Sequence, residues 1–231
     1  MMWPFRKKHS LAESGIFCDF TDWHSHILPG VDDGVRTMDE ALDVLAMYEK
    51  LGVGTVWFTP HIMEDVPNTT AHLKERFEEL KTVYKGSVCL RLSTEYMLDN
   101  LFVQRLETND LLPLGEKGDH LLVETSYYNP PANLYRLLDE IESKGYYPVL
   151  AHPERYTYMG KKDYCNQKEA NVKFQLNIPS ISGFYGTVAQ DKAQWLLKEG
   201  WYDLTGTDTH GIKMFQTCLD SKIKYKPLIN A

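Results

Sequence analysis

Two histidines separated by one residue, His24 and His26, close the run Asp22-Trp23-His24-Ser25-His26. If the residues before them form a strand, both imidazoles project from one face, because side chains alternate along a strand. Two imidazoles at that spacing suit one metal ion. On its own, such a pair is equally compatible with two ordinary histidines on a surface or in a core. Further along, residues of the same chemistry recur as His61, Glu95, Glu124, His152, Asp208 and His210. The steps from His26 to His61, Glu95, Glu124, His152 and Asp208 are 35, 34, 29, 28 and 56 residues, the last being twice 28. One strand-plus-helix unit occupies roughly 30 residues. One chemistry-bearing side chain therefore falls in each unit, with one unit skipped. Five of the eight histidines belong to this series, and scattered histidines would not keep its period.

The donors are nitrogen and oxygen, without thiolate, a set that suits zinc, manganese or iron. Asp33, Glu95, Glu124 and Asp208 bring four negative charges. Two divalent cations would balance them. Three would leave about two positive charges, which a phosphate dianion could take up. Arg155, in His152-Pro153-Glu154-Arg155-Tyr156, offers a guanidinium fork that matches phosphate oxygens. The alternative is a surface arginine paired with Glu154.

Such residues need a scaffold that gathers strand ends. Residues 16–20 read as a short strand leading to the histidine pair, with strand character near 18–23. Thr37-Met38-Asp39-Glu40 reads as a capping box opening a helix that Gly52 stops. A strand at 55–58, a helix at 71–84, a strand at 88–92 and a short helix near 100–106 follow. Next come a strand at 120–123, a helix starting at Pro130-Pro131 and ending at Ser143, and a strand at 147–151. A weak polar helix at 162–172, a strand at 174–177, a helix at 188–199 and a strand at 202–205 complete the series. Strands alternating with helices imply a parallel sheet. Seven units in 231 residues suggest an α/β fold closed, or nearly closed, into a distorted (β/α)7 barrel, with its chemistry at the C-terminal ends of the strands. Residues 1–15 read as an N-terminal arm, and 16–231 as a single domain.

Composition narrows the class. A net charge of −7 and a pI of about 5.6 provide no pull toward nucleic acid. No apolar run approaches the length needed to cross a membrane, and no signal peptide is visible. The four cysteines are dispersed and read as reduced thiols, so a cytoplasmic protein is expected.

Together, His24-Ser25-His26, the Asp32-Asp33-Gly34 turn, His61, Glu95, Glu124, His152 to Tyr156 and Asp208-Thr209-His210 resemble the PHP (polymerase and histidinol phosphatase) superfamily. Within it the chain resembles the manganese-dependent protein-tyrosine phosphatases of bacterial capsule and exopolysaccharide operons. The resemblance implies a trinuclear site and a phosphorylated bacterial tyrosine kinase as partner, its phosphotyrosine tail being the substrate. It implies one metal on His24, His26, Glu95 and Asp208. A second would be bridged by Glu95 and held by Glu124 and His152, and a third would be held by Asp33, His61 and His210. Manganese is expected first, with iron or zinc as alternatives. Arg155 would bind phosphate, and Arg155, His61 and His210 are the expected catalytic residues. Relatives often carry a second arginine after the Asp-x-His; here Lys213 is the only nearby cation.

The expected reaction is metal-assisted hydrolysis of a phosphomonoester, without a cysteine nucleophile. Tyr127, Tyr128, Tyr156 and Tyr185 are expected at the rim, beside Pro130, Tyr158 and Phe184, where aromatic walls could take a phenyl ring. The rival readings are a histidinol-phosphate or other small-molecule phosphatase, and a metal-binding regulator of the kinase without turnover.

Overall fold

Apolar runs bounded by helix caps make this chain alternate between strand and helix. A computed structural model describes residues 9–223. In order, the elements are β1 (His9–Ser10), β2 (Phe20–Ser25), α1 (Met38–Leu51), β3 (Val53–Phe58), β4 (His61–Ile62), α2 (Thr70–Val83), β5 (Cys89–Leu92), β6 (Glu95–Met97) and α3 (Asn100–Thr108). They continue with β7 (His120–Glu124), α4 (Leu134–Ser143), β8 (Tyr147–Ala151), α5 (Lys161–Glu169), β9 (Lys173–Asn177), α6 (Ile178–Ser182), α7 (Gly186–Glu199), β10 (Leu204–Gly206), α8 (Ile212–Asp220) and β11 (Lys222–Ile223). Single 3-10 turns lie at Ala12–Ser14 and Pro153–Arg155.

The strands form a mixed α/β architecture. One parallel sheet has the order β10-β9-β8-β7-β6-β4 and a second has the order β2-β3-β5. Short breaks at Thr59-Pro60 and Ser93-Thr94 carry the chain from β3 to β4 and from β5 to β6, and thus from one sheet into the other. Backbone bonds span these breaks, from Ser93 N to Phe58 O (2.8 Å) and from Glu95 N to Pro60 O (3.2 Å). At the other side, Asp208 N donates to His24 O (2.8 Å) and His26 N to Thr209 O (2.9 Å), joining the end of β10 to β2.

The central strands β7 and β8 are covered on both faces and read as near-continuous apolar runs. Leu121, Val123 and Leu150 enter a large core against the helices. Their neighbours Leu122, Val149 and Ala151 pack with Trp57 and Leu114 in a smaller cluster on the opposite face. Trp23 stacks on Trp57 there (centroids 5.6 Å apart).

Several boundaries differ from expectation. Residues 16–19 are turn, not strand, because Asp19 adopts a left-handed conformation (φ 55°) and its N–H bonds to Gly52 O. The strand therefore begins at Phe20 and contains His24. Thr37 caps α1 through Glu40 N, but Glu40 returns its carboxylate to Arg36 N, so the reciprocal box is not closed. Helix α4 begins at Leu134, after a turn in which Leu134 N bonds to Pro131 O. Pro131 pushes Pro130 out of the α region, which keeps Pro130 outside the helix. Within the segment expected as an arm, β1 pairs antiparallel with β11 and Leu11 is fully buried; residues 1–8 lie outside the described residues.

Candidate metal centre

All nine expected donors converge on one cup, although His61 and Glu95, expected at strand ends, instead open β4 and β6 directly after the breaks that close β3 and β5. His24 comes from β2, His61 from β4, Glu95 from β6 and Glu124 from the end of β7, while His26, Asp33, His152, Asp208 and His210 follow strands. Glu95 stands at the middle. Its Oε2 lies 3.1 Å from His24 Nε2, 3.3 Å from His26 Nε2 and 3.2 Å from His61 Nδ1, and its Oε1 lies 3.0 Å from His152 Nε2. Glu124 Oε1 faces His61 Nδ1 at 3.2 Å. Asp208 Oδ1 lies 3.5 and 3.4 Å from His24 and His26 Nε2. Asp33, on an exposed turn, reaches His210 Nε2 at 3.4 Å and His61 Nε2 at 3.6 Å.

Four sets of donor atoms are close enough to share an ion: His26, Asp33, His61 and His210; His24, Glu95 and His152; His24, His26 and Asp208; and His61, Glu95 and Glu124. These differ in part from the expected grouping. Asp33, His61 and His210 gather as expected, but His61 also turns Nδ1 toward Glu95 and Glu124 and so stands between two sets.

The tautomers are set from behind. His24 donates its Nδ1–H to Gln175 Oε1 (2.8 Å), and His26 donates its own to Asp32 Oδ2 (2.8 Å). This leaves both Nε2 atoms facing one point, 3.0 Å apart. Hydrogen bonds behind ligating histidines commonly fix them in this way. Burial disfavours a charged imidazole, yet Glu95 and Asp208 outweigh it and hold His24 up to about 9. Burial is likewise overcome at His61, held at about 10 by Glu124 and Glu95, and at His210, held at about 9 by Asp33 and Asp208. The His210 bond takes Asp33 down to about 2. Glu95 is held well below the ordinary carboxylate range, the histidines outweighing its burial. The buried Glu95 Oε2 and His61 Nδ1 make no conventional hydrogen bond. A largely buried cluster of carboxylates and imidazoles that holds protons this strongly fits divalent cations.

Two glycines let the backbone come this close. A Cβ on Gly34 would sit 1.9 Å from His26 O, and one on Gly206 would sit 2.5 Å from His24 Cβ. His152 (φ 33°) and Asp208 (φ 52°) occupy left-handed backbone that β-carbon residues enter at a cost, a form of strain that gathers at functional sites.

Arg155 projects into the same cavity of about 440 Å³ as Asp33, His61, Glu95, Glu124, His152, Asp208 and His210. Its Nη1 donates to Asp208 Oδ2 (2.7 Å), and the guanidinium lies between the rings of Tyr127 (4.4 Å) and Tyr185 (4.1 Å). Glu154, the alternative partner, instead accepts from Asn177 N (3.0 Å) and Tyr202 Oη (2.9 Å). Of the expected aromatic rim, Tyr127, Phe184 and Tyr185 line the cavity. Tyr156 does not: it is fully buried, stacked on Tyr127 and Tyr158. Tyr158 bonds to Thr125 Oγ1 (2.6 Å), and Tyr128 is exposed outside the cavity. Lys213 is exposed and outside the lining, where Met214 stands instead.

The strand expected at 174–177 was assigned no site residue, yet β9 supplies Gln175 behind His24 and Asn177, whose Nδ2 donates to Asp208 Oδ2 (2.8 Å). Polar residues alternating with apolar ones along β9, at Lys173, Gln175 and Asn177, were the available signal. Asp22 was also missed. It accepts from Thr207 N (2.8 Å), Thr207 Oγ1 (2.7 Å), Tyr48 Oη (2.5 Å) and His24 N (3.2 Å), tying β2 to the loop that carries Asp208.

Parallel strands with imidazoles and carboxylates at their C-terminal ends, and an arginine above them, define an α/β protein with a metal-type donor cup beside an anion-binding group. Residues 20–225 match the family described as capsular polysaccharide synthesis, CpsB/CapC, and the chain belongs to that family. It is similar to tyrosine-protein phosphatase YwqE of Bacillus subtilis (strain 168), at 26% identity over 83% of this chain and 78% of that one. It is also similar to tyrosine-protein phosphatase CpsB of Streptococcus pneumoniae, at 27% identity over 88% and 85% respectively. Crystal structures of YwqE from Bacillus subtilis and CpsB from Streptococcus pneumoniae are described as those of unique metal-dependent tyrosine phosphatases. A chain from that work shares the fold with a TM-score of 0.78, at 24% identity over 84% of this chain and 81% of that chain. Among the described residues no helix is long and apolar enough to cross a membrane.

Proposed function

We propose that this chain is a metal-dependent protein-tyrosine phosphatase that acts on the phosphotyrosine tail of a bacterial tyrosine kinase in capsule or exopolysaccharide synthesis. The observation that carries this reading is the position of Glu95: four imidazole nitrogens surround its carboxylate within 3.3 Å, in a cavity that also holds Arg155. Family membership and the names of the relatives support the substrate class.

In this reading His24, His26, Glu95 and Asp208 hold one metal, Glu95, Glu124 and His152 a second, and Asp33, His61 and His210 a third. His61 Nδ1 is also available to the second. Three manganese ions suit the four carboxylates together with a bound phosphate dianion, and manganese suits the absence of thiolate from the donor sets. When bound, the metals supply Lewis-acid polarisation and a water of lowered pKa. The chain's residues do the rest. Gln175, Asp32 and the Asp208 carbonyl keep the Nδ1 protons of His24, His26 and His210, so each presents Nε2. Arg155 exchanges its bond with Asp208 for phosphate oxygens and stabilises charge that grows on them. Tyr127 and Tyr185 hold the planar guanidinium in place and wall a slot for the phenyl ring. A phenol, with a pKa near 10, leaves with little acid help, which suits a cup whose acids all serve as donors.

For the scaffold we infer a distorted (β/α)7 barrel, with β3–β4 and β5–β6 each counting as one kinked strand. The bonds between β2 and the residues after β10 support closure. The four unpaired cysteines suit the cytoplasm. The test compares kcat/KM for a phosphotyrosine peptide, its phosphoserine counterpart and histidinol phosphate with added Mn²⁺. The phosphotyrosine peptide should be fastest. Faster turnover of histidinol phosphate would assign the chain to small-molecule phosphatases.

A further inference from the structure

A second, smaller cavity of about 230 Å³ adjoins the cup and shares Tyr127, Arg155 and Tyr185 with it. Tyr128, Thr157, Val188, Ala189 and Lys192 form the rest of its lining, together with the buried Glu154. Val188 and Lys192, at i and i+4 on α7, share one face, with the buried Ala189 between them and the core. The loop opposite is fixed: Thr157 N and Oγ1 both donate to Tyr127 O (2.8 and 2.9 Å).

Two features of this groove are unused by the proposed chemistry. The first is apolar exposure. Tyr128 is 72% and Val188 63% exposed, the highest values among the exposed large hydrophobic residues described. The second is charge. Lys192 is half-buried and its ammonium donates to Tyr156 O (2.5 Å), with no carboxylate ion-paired to it among the described residues. Asp163 and Glu154 lie in its field. Glu154 is committed to Asn177 N and Tyr202 Oη, and burial pushes its carboxyl up, toward the neutral form.

We propose that this groove binds the polypeptide flanking the phosphotyrosine, and that Lys192 selects an acidic residue beside it. The inference rests on the phosphatase reading, and continuity with the cup is its first support. Only the Tyr127–Arg155–Tyr185 wall separates the two cavities, so a phosphotyrosine in the cup directs its neighbouring residues along the groove. The apolar rim gives backbone and side-chain stems a surface to cover, and the ammonium at the far wall complements a carboxylate.

The experiment uses the full chain loaded with Mn²⁺. Two peptides carry a non-hydrolysable difluoromethylphosphonate analogue of phosphotyrosine and differ only in a flanking Glu or Lys. Their Kd values are read by fluorescence anisotropy, and turnover of p-nitrophenyl phosphate is measured in parallel. We expect the Glu-flanked peptide to bind about tenfold more tightly, as for a partly desolvated charge contact. Lys192→Glu should reverse that order, Lys192→Arg should keep it, and Val188→Asp should weaken both peptides. All three variants should turn over p-nitrophenyl phosphate at the parent rate. Equal affinity for the two peptides in the parent, or an order unchanged by Lys192→Glu, overturns the groove assignment. Absent p-nitrophenyl phosphate turnover in the parent would instead overturn the phosphatase reading, while the Kd ratio still decides the groove.

Discussion

Asp32 is not among the expected metal ligands, yet it fixes three groups that surround them. Its Oδ2 accepts from His26 Nδ1 (2.8 Å) and His61 N (3.1 Å), and its Oδ1 accepts from Gly34 N (3.0 Å). Asp32→Asn preserves size but offers one acceptor oxygen where two are used. If the amide oxygen serves His26 and His61, the NH2 meets the Gly34 N–H donor to donor; if it is flipped, His26 loses the bond that sets its tautomer. A buried donor left without a partner costs about 1–3 kcal/mol. Loss of a partner behind a ligating histidine costs roughly 10- to 100-fold in metal affinity, or about 1.4–2.7 kcal/mol. The assay is turnover of p-nitrophenyl phosphate by chelator-stripped protein during Mn²⁺ titration. The half-saturating Mn²⁺ concentration should rise by that factor, while kcat at saturation stays within about threefold, because no contact with the reacting atoms is removed. Saturation at the parent's Mn²⁺ concentration would refute the role given to Asp32. So would a loss of kcat that excess metal fails to restore.

Glu95→Gln should lose bound metal and turnover together, since one carboxylate serves four imidazoles; elemental analysis alongside kcat measures both. Arg155→Ala should keep its metal, because Asp208 retains Asn177 Nδ2, while kcat/KM for phosphotyrosine peptides falls about 10²- to 10³-fold. Metal loading should release protons at pH 7.5, because His24, His61 and His210 are held at about 9, 10 and 9 in the metal-free protein. Their folded values exceed the working pH, so each proton must leave before its imidazole can ligate, and apparent affinity should climb as pH rises toward that range. Calorimetry in two buffers of different ionisation enthalpy counts those protons.

The donors were legible in the sequence because a repeating strand-and-helix unit puts one residue at each strand end. Their spacing survives any small error in element boundaries, such as the displacement of the first strand from residues 16–20 to Phe20–Ser25. The two-residue strand β4 and the three-residue strand β6 were not legible. The strands expected at 55–58 and 88–92 stop short of Thr59-Pro60 and Ser93-Thr94, each of which is a kink after which pairing resumes in the other sheet. The residues that hold the donors were harder still. Asp22, Gln175 and Asn177 act through contacts 31 to 185 residues away in sequence, and no local pattern announces such partners. The aromatic expectations divided by burial: Tyr127 and Tyr185 flank Arg155, whereas Tyr156 packs underneath, because stacking Tyr127 on a buried ring is what holds that wall in place.

The central claim is that these strand-end donors hold divalent metals against a phosphate gripped by Arg155. Anomalous diffraction at the manganese edge, from crystals soaked with Mn²⁺ and phosphate, tests it directly. We expect three manganese peaks within the cup, one beside each of Asp208, Glu124 and Asp33, with phosphate between them and the Arg155 guanidinium. An empty cup, or manganese bound only elsewhere on the molecule, would contradict it.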